Sequence, residues 1–222
     1  MKKLFFLLFF YSSLNLVAQK LNYGIEQSMI LAAQTNYDPT KPEDGTFRWQ
    51  NLHTYGIAFF LQKPLKKNYY LQSNFLYRGK GAREIRQSAY DLVPNSFEEH
   101  ELRNPFNYGG LELLIGKRAY SQKKVNLLVY TGIAMEHLLN YTFNSKAEPF
   151  ATLYPYREYD SCIKNSASAT FGIGLEFNRI LTLKASLNKD LTYLINKPTL
   201  QVKNTLAAIH IGVNIPRLMK ID

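Results

Sequence analysis

The residues available for chemistry in this chain are four histidines, one cysteine and scattered serines and carboxylates. His53 and His137 fall at the ends of two patterned segments. A histidine that serves as general base needs a nucleophile on one side and an orienting acid on the other. Ser28 and Glu136 have the right types, but no spacing joins them, and there is no Gly-x-Ser-x-Gly elbow. Glu98-Glu99-His100-Glu101 carries metal-capable oxygen and nitrogen. Adjacent residues rarely converge on one ion, however, and no spaced partner motif accompanies them. Asp38 to Gly45 reads as turn chemistry and lacks the ligand spacing of a calcium loop. Cys162 is alone, so no internal disulfide is available. The expectation is no catalytic residue, no metal and no cofactor.

A second set of polar residues is more informative because of where it falls. Arg78, Glu112, Glu136, Glu176 and Lys184 each sit on the polar side of a segment in which apolar and polar residues alternate. Charges of both signs on one face of a closed sheet can pair with one another. On a lipid-facing surface each Lys or Arg would cost about 2–4 kcal/mol near the bilayer midplane.

The elements that position these charges repeat with period two, the mark of strands. Phe171, Ile173, Leu175 and Phe177 oppose Thr170, Gly172, Gly174 and Glu176. Tyr55, Ile57, Phe59 and Leu61 oppose Thr54, Gly56, Ala58 and Phe60. The same pattern recurs around Leu71–Arg78, Gly110–Gly116, Leu127–Glu136, Leu181–Asn188 and Leu206–Ile215, with a weaker copy at Leu21–Leu31. Eight strands of about ten residues result, the length that crosses a bilayer at a tilt. Their connections, near 34–51, 63–68, 83–105, 119–124, 141–167, 178–180 and 192–203, alternate long and short. Short turns on one rim and long loops on the other characterise outer-membrane barrels. The polar face also holds Gly56, Gly110, Gly116, Gly132, Gly172, Gly174 and Gly212, and a narrow lumen needs small residues between large ones. The fold class expected is all-β: an eight-stranded antiparallel up-and-down transmembrane β-barrel with its apolar face outward. A soluble lipocalin-like carrier with the apolar face inward is the main alternative.

The N-terminus fits export. Met1-Lys2-Lys3 precedes an apolar run from Leu4 to Tyr11 and a small-residue ending, Leu16-Val17-Ala18, the pattern of a signal peptide over 1–18. The barrel domain then occupies 19–222. Formal net charge is +10, but an exported chain without a helical basic stripe does not read as a nucleic-acid binder. Lys63, Lys66, Lys67, Lys117, Arg118, Lys123, Lys124 and Arg179 gather at the short turns. Tyr55, Tyr69, Tyr70, Tyr77, Tyr108, Tyr130 and Tyr141 suit a girdle at the lipid–water boundary. Tyr154, Tyr156 and Tyr159 in the longest loop are candidate contacts for a surface protein.

The Val17-Ala18-Gln19 ending, the segment Tyr69-Tyr-Leu-Gln-Ser-Asn-Phe-Leu-Tyr-Arg-Gly-Lys-Gly-Ala82, and the Val129–Met135 and Gly172–Glu176 strands together resemble the PorT-like outer-membrane β-barrel proteins of Bacteroidetes. That resemblance implies an eight-stranded barrel in the outer membrane of a Gram-negative cell. Most members of that family have no assigned activity; its namesake belongs to a protein secretion system, a role that does not carry over by itself, and an accessory part in secretion or envelope function is the finer expectation. The reading is a non-enzymatic structural or interaction protein, with outer-membrane lipid and periplasmic or surface proteins as partners. A lipid-modifying enzyme using His53 or His137 is a second reading. Barrel proteins commonly end on an aromatic residue, whereas this chain continues through Pro216-Arg-Leu-Met-Lys-Ile-Asp222, so the last strand is expected to stop near Ile215.

Overall fold

The computed structural model describes residues 21–37, 52–89, 97–121, 124–141, 144–145, 163–197 and 200–219, and side chains over a subset of these. The signal peptide and the loop residues Tyr154, Tyr156, Tyr159 and Cys162 lie outside them.

Eight strands form the wall: β1 (Asn22–Tyr37), β2 (Leu52–Pro64), β3 (Tyr69–Ala89), β4 (Phe97–Ser121), β5 (Val125–Tyr141), β7 (Asn165–Phe177), β8 (Leu181–Asp190) and β10 (Leu200–Asn214). Two short strands, β6 (Asn144–Ser145) and β9 (Ile195–Lys197), extend β4 and β10 at the long-loop rim. Each strand pairs antiparallel with the next, and β1 pairs with β10 from Gly24↔Asn214 to Tyr37↔Gln201, closing the sheet. Closure removes the free edges that a lipid environment cannot satisfy.

Register fixes the geometry. A row of paired residues leaves β2 at His53 and runs through Leu31, Ala207, Leu187, Phe171, Thr131, Ile115 and Leu71, returning to β2 at Lys63, ten residues away. With about 3.3 Å per residue and about 4.8 Å between strands, that stagger over eight strands tilts them about 40°. Each residue then advances about 2.5 Å along the barrel axis.

The short turns explain why the chain reverses where it does. Asn178 and Arg179 have φ of 50° and 60°, and Ile180 N donates to Phe177 O at 2.8 Å. Two successive left-handed residues match the twist of a two-residue hairpin. Between β2 and β3, Leu65 N donates to Tyr69 O at 2.8 Å around a three-residue turn, Lys66–Asn68, in which Lys67 and Asn68 have φ of 57° and 64°.

Several sequence expectations need correction. The connection expected at 83–105 is mostly strand: Arg83–Ala89 pairs with Phe97–Arg103, so the β3–β4 hairpin extends well past the belt. The alternation signal fails there because both faces of this arm carry polar residues. β1 runs to Tyr37 rather than stopping near Leu31. The end of the last strand, by contrast, falls where it was expected, at Asn214, and helix α1 (Ile215–Leu218) follows, with Pro216 in its first turn and Asn214 accepting from Arg217 N at 3.3 Å.

Candidate functional site

Parity divides every strand into an outer and an inner set. The outer set is apolar and exposed: Ile25, Met29, Ile57, Phe75, Leu113, Ile133, Phe171, Ile173, Leu187 and Ile211 among others. The inner set is where the polar chemistry lies. All five acidic residues whose side chains are described, Glu26, Glu112, Glu136, Glu176 and Asp190, are buried in the lumen. Arg78, Lys80, Arg118 and Lys184 are buried there with them.

The charges are arranged in three tiers. Nearest the long loops, Arg78 donates from Nε to Glu136 Oε1 at 2.6 Å and from Nη2 to Oε2 at 2.9 Å. Lys80 Nζ reaches Glu136 Oε2 and Asp190 Oδ1, both at 2.8 Å, and Ser166 Oγ at 3.1 Å. An ammonium has three protons to donate, and these partners occupy all three. Asn204 completes Asp190 by donating at 2.9 Å, and Gln34 donates to Asn204 at 3.1 Å. β3 and β8 stand opposite one another in the strand order, so Lys80–Asp190 ties opposite walls across the lumen.

In the middle tier Lys184 pairs with Glu26, and Glu112 accepts from Asn74 Nδ2 and Thr170 Oγ1, each at 2.7 Å. His210 lies among Ser28, Ser186 and Glu26: Nδ1 is 2.8 Å from Ser28 Oγ and 3.2 Å from Glu26 Oε1, and Nε2 is 2.7 Å from Ser186 Oγ. At the short-turn end Arg118 forks onto Glu176, Nε to Oε2 at 2.7 Å and Nη2 to Oε1 at 2.9 Å, and Asn126 donates to Oε2 at 2.7 Å. Buried charges are tolerated when paired and hydrogen-bonded, and these are.

Aromatic and aliphatic side chains fill the space between tiers. Tyr70, Tyr108, Tyr130, Phe60, Leu76, Leu114 and Leu128 all point inward and are buried. Cations rest on several of the rings: Lys80 Nζ is 4.8 Å from the Tyr108 centroid, Arg118 is 5.3 Å from Tyr70, and Lys184 is 5.6 Å from Tyr130. A methyl group added at Gly116 would stand 2.2 Å from Cζ of Tyr70, and one at Gly172 2.2 Å from Cζ of Tyr130. Those glycines are needed because a tyrosine ring lies flat against the backbone at each. Beside Glu26, Ser28 and His210 a cavity of about 20 Å³ remains. That is room for about one water molecule and for no acyl substrate.

The sequence-derived set Arg78, Glu112, Glu136, Glu176 and Lys184 lies in the lumen. It is not one cluster: Arg78 meets Glu136, while Lys184 meets Glu26, Glu176 meets Arg118 and Glu112 meets neutral donors. Glu26, Lys80, Arg118 and Asp190 were missed. Arg118 is a correction, since it points into the lumen rather than joining the basic rim. Tyr70, Tyr108 and Tyr130 are corrections as well, being on the inward parity and absent from the boundary girdle. Among the described residues the exposed tyrosines are Tyr23, Tyr55, Tyr69, Tyr77 and Tyr120.

His53 and His137 are exposed on the outer wall near the long-loop rim, and His137 Nδ1 lies 2.8 Å from Asn165 Oδ1. Glu136 is committed to Arg78 and Lys80, and Ser28 to His210, so neither joins an outer histidine. The order acid, histidine, serine does occur as Glu26–His210–Ser186, but Ser186 is buried and Glu26 is neutralised by Lys184. Among the described residues no group of three His, Cys, Asp or Glu side chains is placed to hold a metal ion.

The short-turn rim is basic. Lys63, Lys66, Lys67, Lys117, Lys124, Arg179 and Arg217 are all exposed there, and Lys117 Nζ lies 5.3 Å from the Tyr69 ring centroid. No acidic side chain among the described residues shares that rim.

No protein-family model matches the sequence, and no curated protein matches it. Among solved structures the chain is similar to Ail, the attachment invasion locus protein of Yersinia pestis, in complex with the heparin analogue sucrose octasulfate. That match has 13% identity and a TM-score of 0.39, covering 88% of this chain and 99% of that one. It is similar to Neisserial surface protein A at 9% identity and a TM-score of 0.44, covering 87% and 96%. The N-terminal β-barrel domain of Pseudomonas aeruginosa OprF is matched at 10% identity and a TM-score of 0.31, covering 84% and 96%.

Proposed function

We propose that this chain is a non-enzymatic outer-membrane β-barrel with a plugged lumen, acting as a structural and interaction protein. One observation carries the reading. On all eight strands the exposed outer set is mainly apolar, while the described acids are turned inward, four of them, Glu26, Glu136, Glu176 and Asp190, onto buried cations. Water on the outside would leave that apolar wall uncompensated, whereas hydrocarbon suits it. A ligand-carrying soluble barrel needs the reverse arrangement.

In this reading the even strand number leaves both ends of the barrel on the short-turn side, which faces the periplasm after export by the 1–18 signal peptide. The basic rim then meets anionic phospholipid heads or an acidic periplasmic partner. The long loops face outward, and Tyr154, Tyr156 and Tyr159 offer aromatic contacts to a surface protein. The PorT-like resemblance supports an accessory part in protein secretion or envelope function as the finer reading, tested by comparing secreted proteins with and without the gene.

The test of the main reading is heat-modifiability. The full chain is expressed, outer membranes are isolated, and gels are run with and without boiling. A detergent-resistant band that shifts on boiling is expected. A protein recovered soluble from the periplasm, with no shift, would overturn the reading. Replacing Tyr154, Tyr156 and Tyr159 with Ser should leave the shift intact, and failure to insert would make that loop structural rather than a contact surface.

A further inference from the structure

Among the described residues of the outer wall, one polar side chain in mid-strand is not explained by its surroundings. Gln27 is on the outward parity of β1, midway between Tyr23 and Leu31, and is exposed. It faces Ile57 on β2 and Ile211 on β10, and the same row continues through Leu183 and Leu175. Other polar side chains at similar depth differ. Thr131 donates to the Thr170 carbonyl at 2.9 Å, and Ser73 is small and half-buried. The Gln27 amide has no hydrogen-bond partner among the described residues. In hydrocarbon an amide without a partner is costly, and a membrane protein resolves this by bonding across an interface.

The surface around Gln27 is shaped for one. A groove of about 490 Å³ is lined by Ile25, Gln27, Met29, Ile209, Ile211 and Val213. A second groove of about 710 Å³ lies towards the long-loop side, lined by Met29, Tyr55, Phe171, Leu187 and Ile209 with other residues. Met29 and Ile209 are paired across the β1–β10 seam, line both grooves, and are 66% and 58% exposed. They form a ridge between two hollows.

We infer that this face is a two-fold interface between two copies of the chain within the membrane, with Gln27 bonded to Gln27 of the second copy. The inference rests on the outer-membrane reading above. A glutamine carries one acceptor and two donor protons, so two amides related by a two-fold axis satisfy each other through a pair of N–H···O bonds. With the axis along the membrane normal both copies keep their long loops on one side and residues of equal depth meet, so Gln27 faces Gln27 while the exposed Met29 and Ile209 side chains close apolar surface beside the amide pair. Bulk lipid gives the amide no donor or acceptor at that depth.

The experiment uses the full chain in outer membranes, with Cys162→Ser as background. Gln27→Cys is treated with a membrane-permeant oxidant and compared with Ile133→Cys, which is exposed on β5 at the opposite wall. A disulfide-linked band at twice the monomer mass is expected from position 27 and not from position 133. In detergent, light scattering should give a dimer for the parent and for Gln27→Asn, and a monomer for Gln27→Leu. Equal cross-linking at both positions, no cross-linking at 27, linkage of 27 to a different protein, or a Gln27→Leu dimer as abundant as the parent would each overturn the interface. The boiling shift of every variant separates the two readings. A shift without cross-linking removes only the interface, and absence of the shift removes the membrane barrel itself.

Discussion

The same strands present two chemistries, and β3 shows both within ten residues. Leu71, Phe75 and Tyr77 face out and are exposed, while Gln72, Asn74, Arg78 and Lys80 face in and are buried. On the outer wall, in the membrane reading proposed above, each side chain acts alone, its free energy set by depth in an apolar medium. On the inner wall hardly any acts alone. Lys80 is held by Glu136, Asp190 and Ser166, and Glu136 in turn holds Arg78. Outer positions should therefore tolerate any apolar exchange, and inner positions should tolerate almost none that removes a partner.

The largest test of that difference is Glu136→Leu. It leaves Arg78 and Lys80 buried together without their shared carboxylate, and losing one member of a buried ion pair costs about 3–5 kcal/mol. Urea unfolding in detergent micelles, followed by the boiling shift, should show that loss. If the variant unfolds at the parent's midpoint, the long-loop tier is not a coupled network. A smaller loss is expected from Leu113→Arg on the outer wall, about 2–4 kcal/mol if the position is near the midplane. Here the cost comes from lipid alone, so it should shrink in the same assay as the position moves towards a rim. A cost that does not change with depth would mean that the outer wall is not solvated by hydrocarbon.

How far this division was legible depends on where the alternation stands clear of other signals. In mid-strand it was plain: Phe171, Ile173 and Leu175 against Gly172, Gly174 and Glu176 needs no structure to read. At strand ends it was masked. Lys80 sits in Gly79-Lys80-Gly81, which looks like a turn, yet it lies two residues from Arg78 and so shares its face. Arg118 adjoins Lys117, so the pair read as a basic rim although Arg118 points inward, and Asp190, beside Lys189 just past the patterned Leu181–Asn188, drew no reading at all. Continuing the parity by one step from Arg78, from Asn188 and from Gly116 would have found all three. Tyr130 was misassigned for a related reason. Tyrosine suits a boundary girdle, but its even number in β5 places it with Leu128 and Glu136 in the lumen. Partner choice was not legible at all, because it depends on a stagger of ten residues that no single strand reveals.

The two rims extend the comparison to the outside of the barrel. Lys66 and Lys67 occupy a tight turn with no acidic neighbour among the described residues. Replacing both with Gln should weaken binding of the detergent-extracted barrel to vesicles rich in anionic phospholipid by about 1 kcal/mol per lysine, and less at high salt. An unchanged affinity would make the basic rim a solvated turn and nothing more.

The smallest effect is expected where a residue type occurs on both walls. His210 is enclosed by Ser28, Ser186 and Glu26, whereas His53 and His137 stand exposed outside, His137 hydrogen-bonded to Asn165. Among the described residues neither outer histidine is hydrogen-bonded to a serine or a carboxylate, the partners that acyl transfer by a histidine base would use. His53→Ala combined with His137→Ala should change stability by no more than about 0.5 kcal/mol, as for surface substitutions generally. It should also leave the mass spectrum of the lipid A fraction unchanged. A shift in lipid acylation with the barrel still folded would make the outer wall catalytic, and the contrast between a reactive surface and an inert lumen would have to replace the one drawn here.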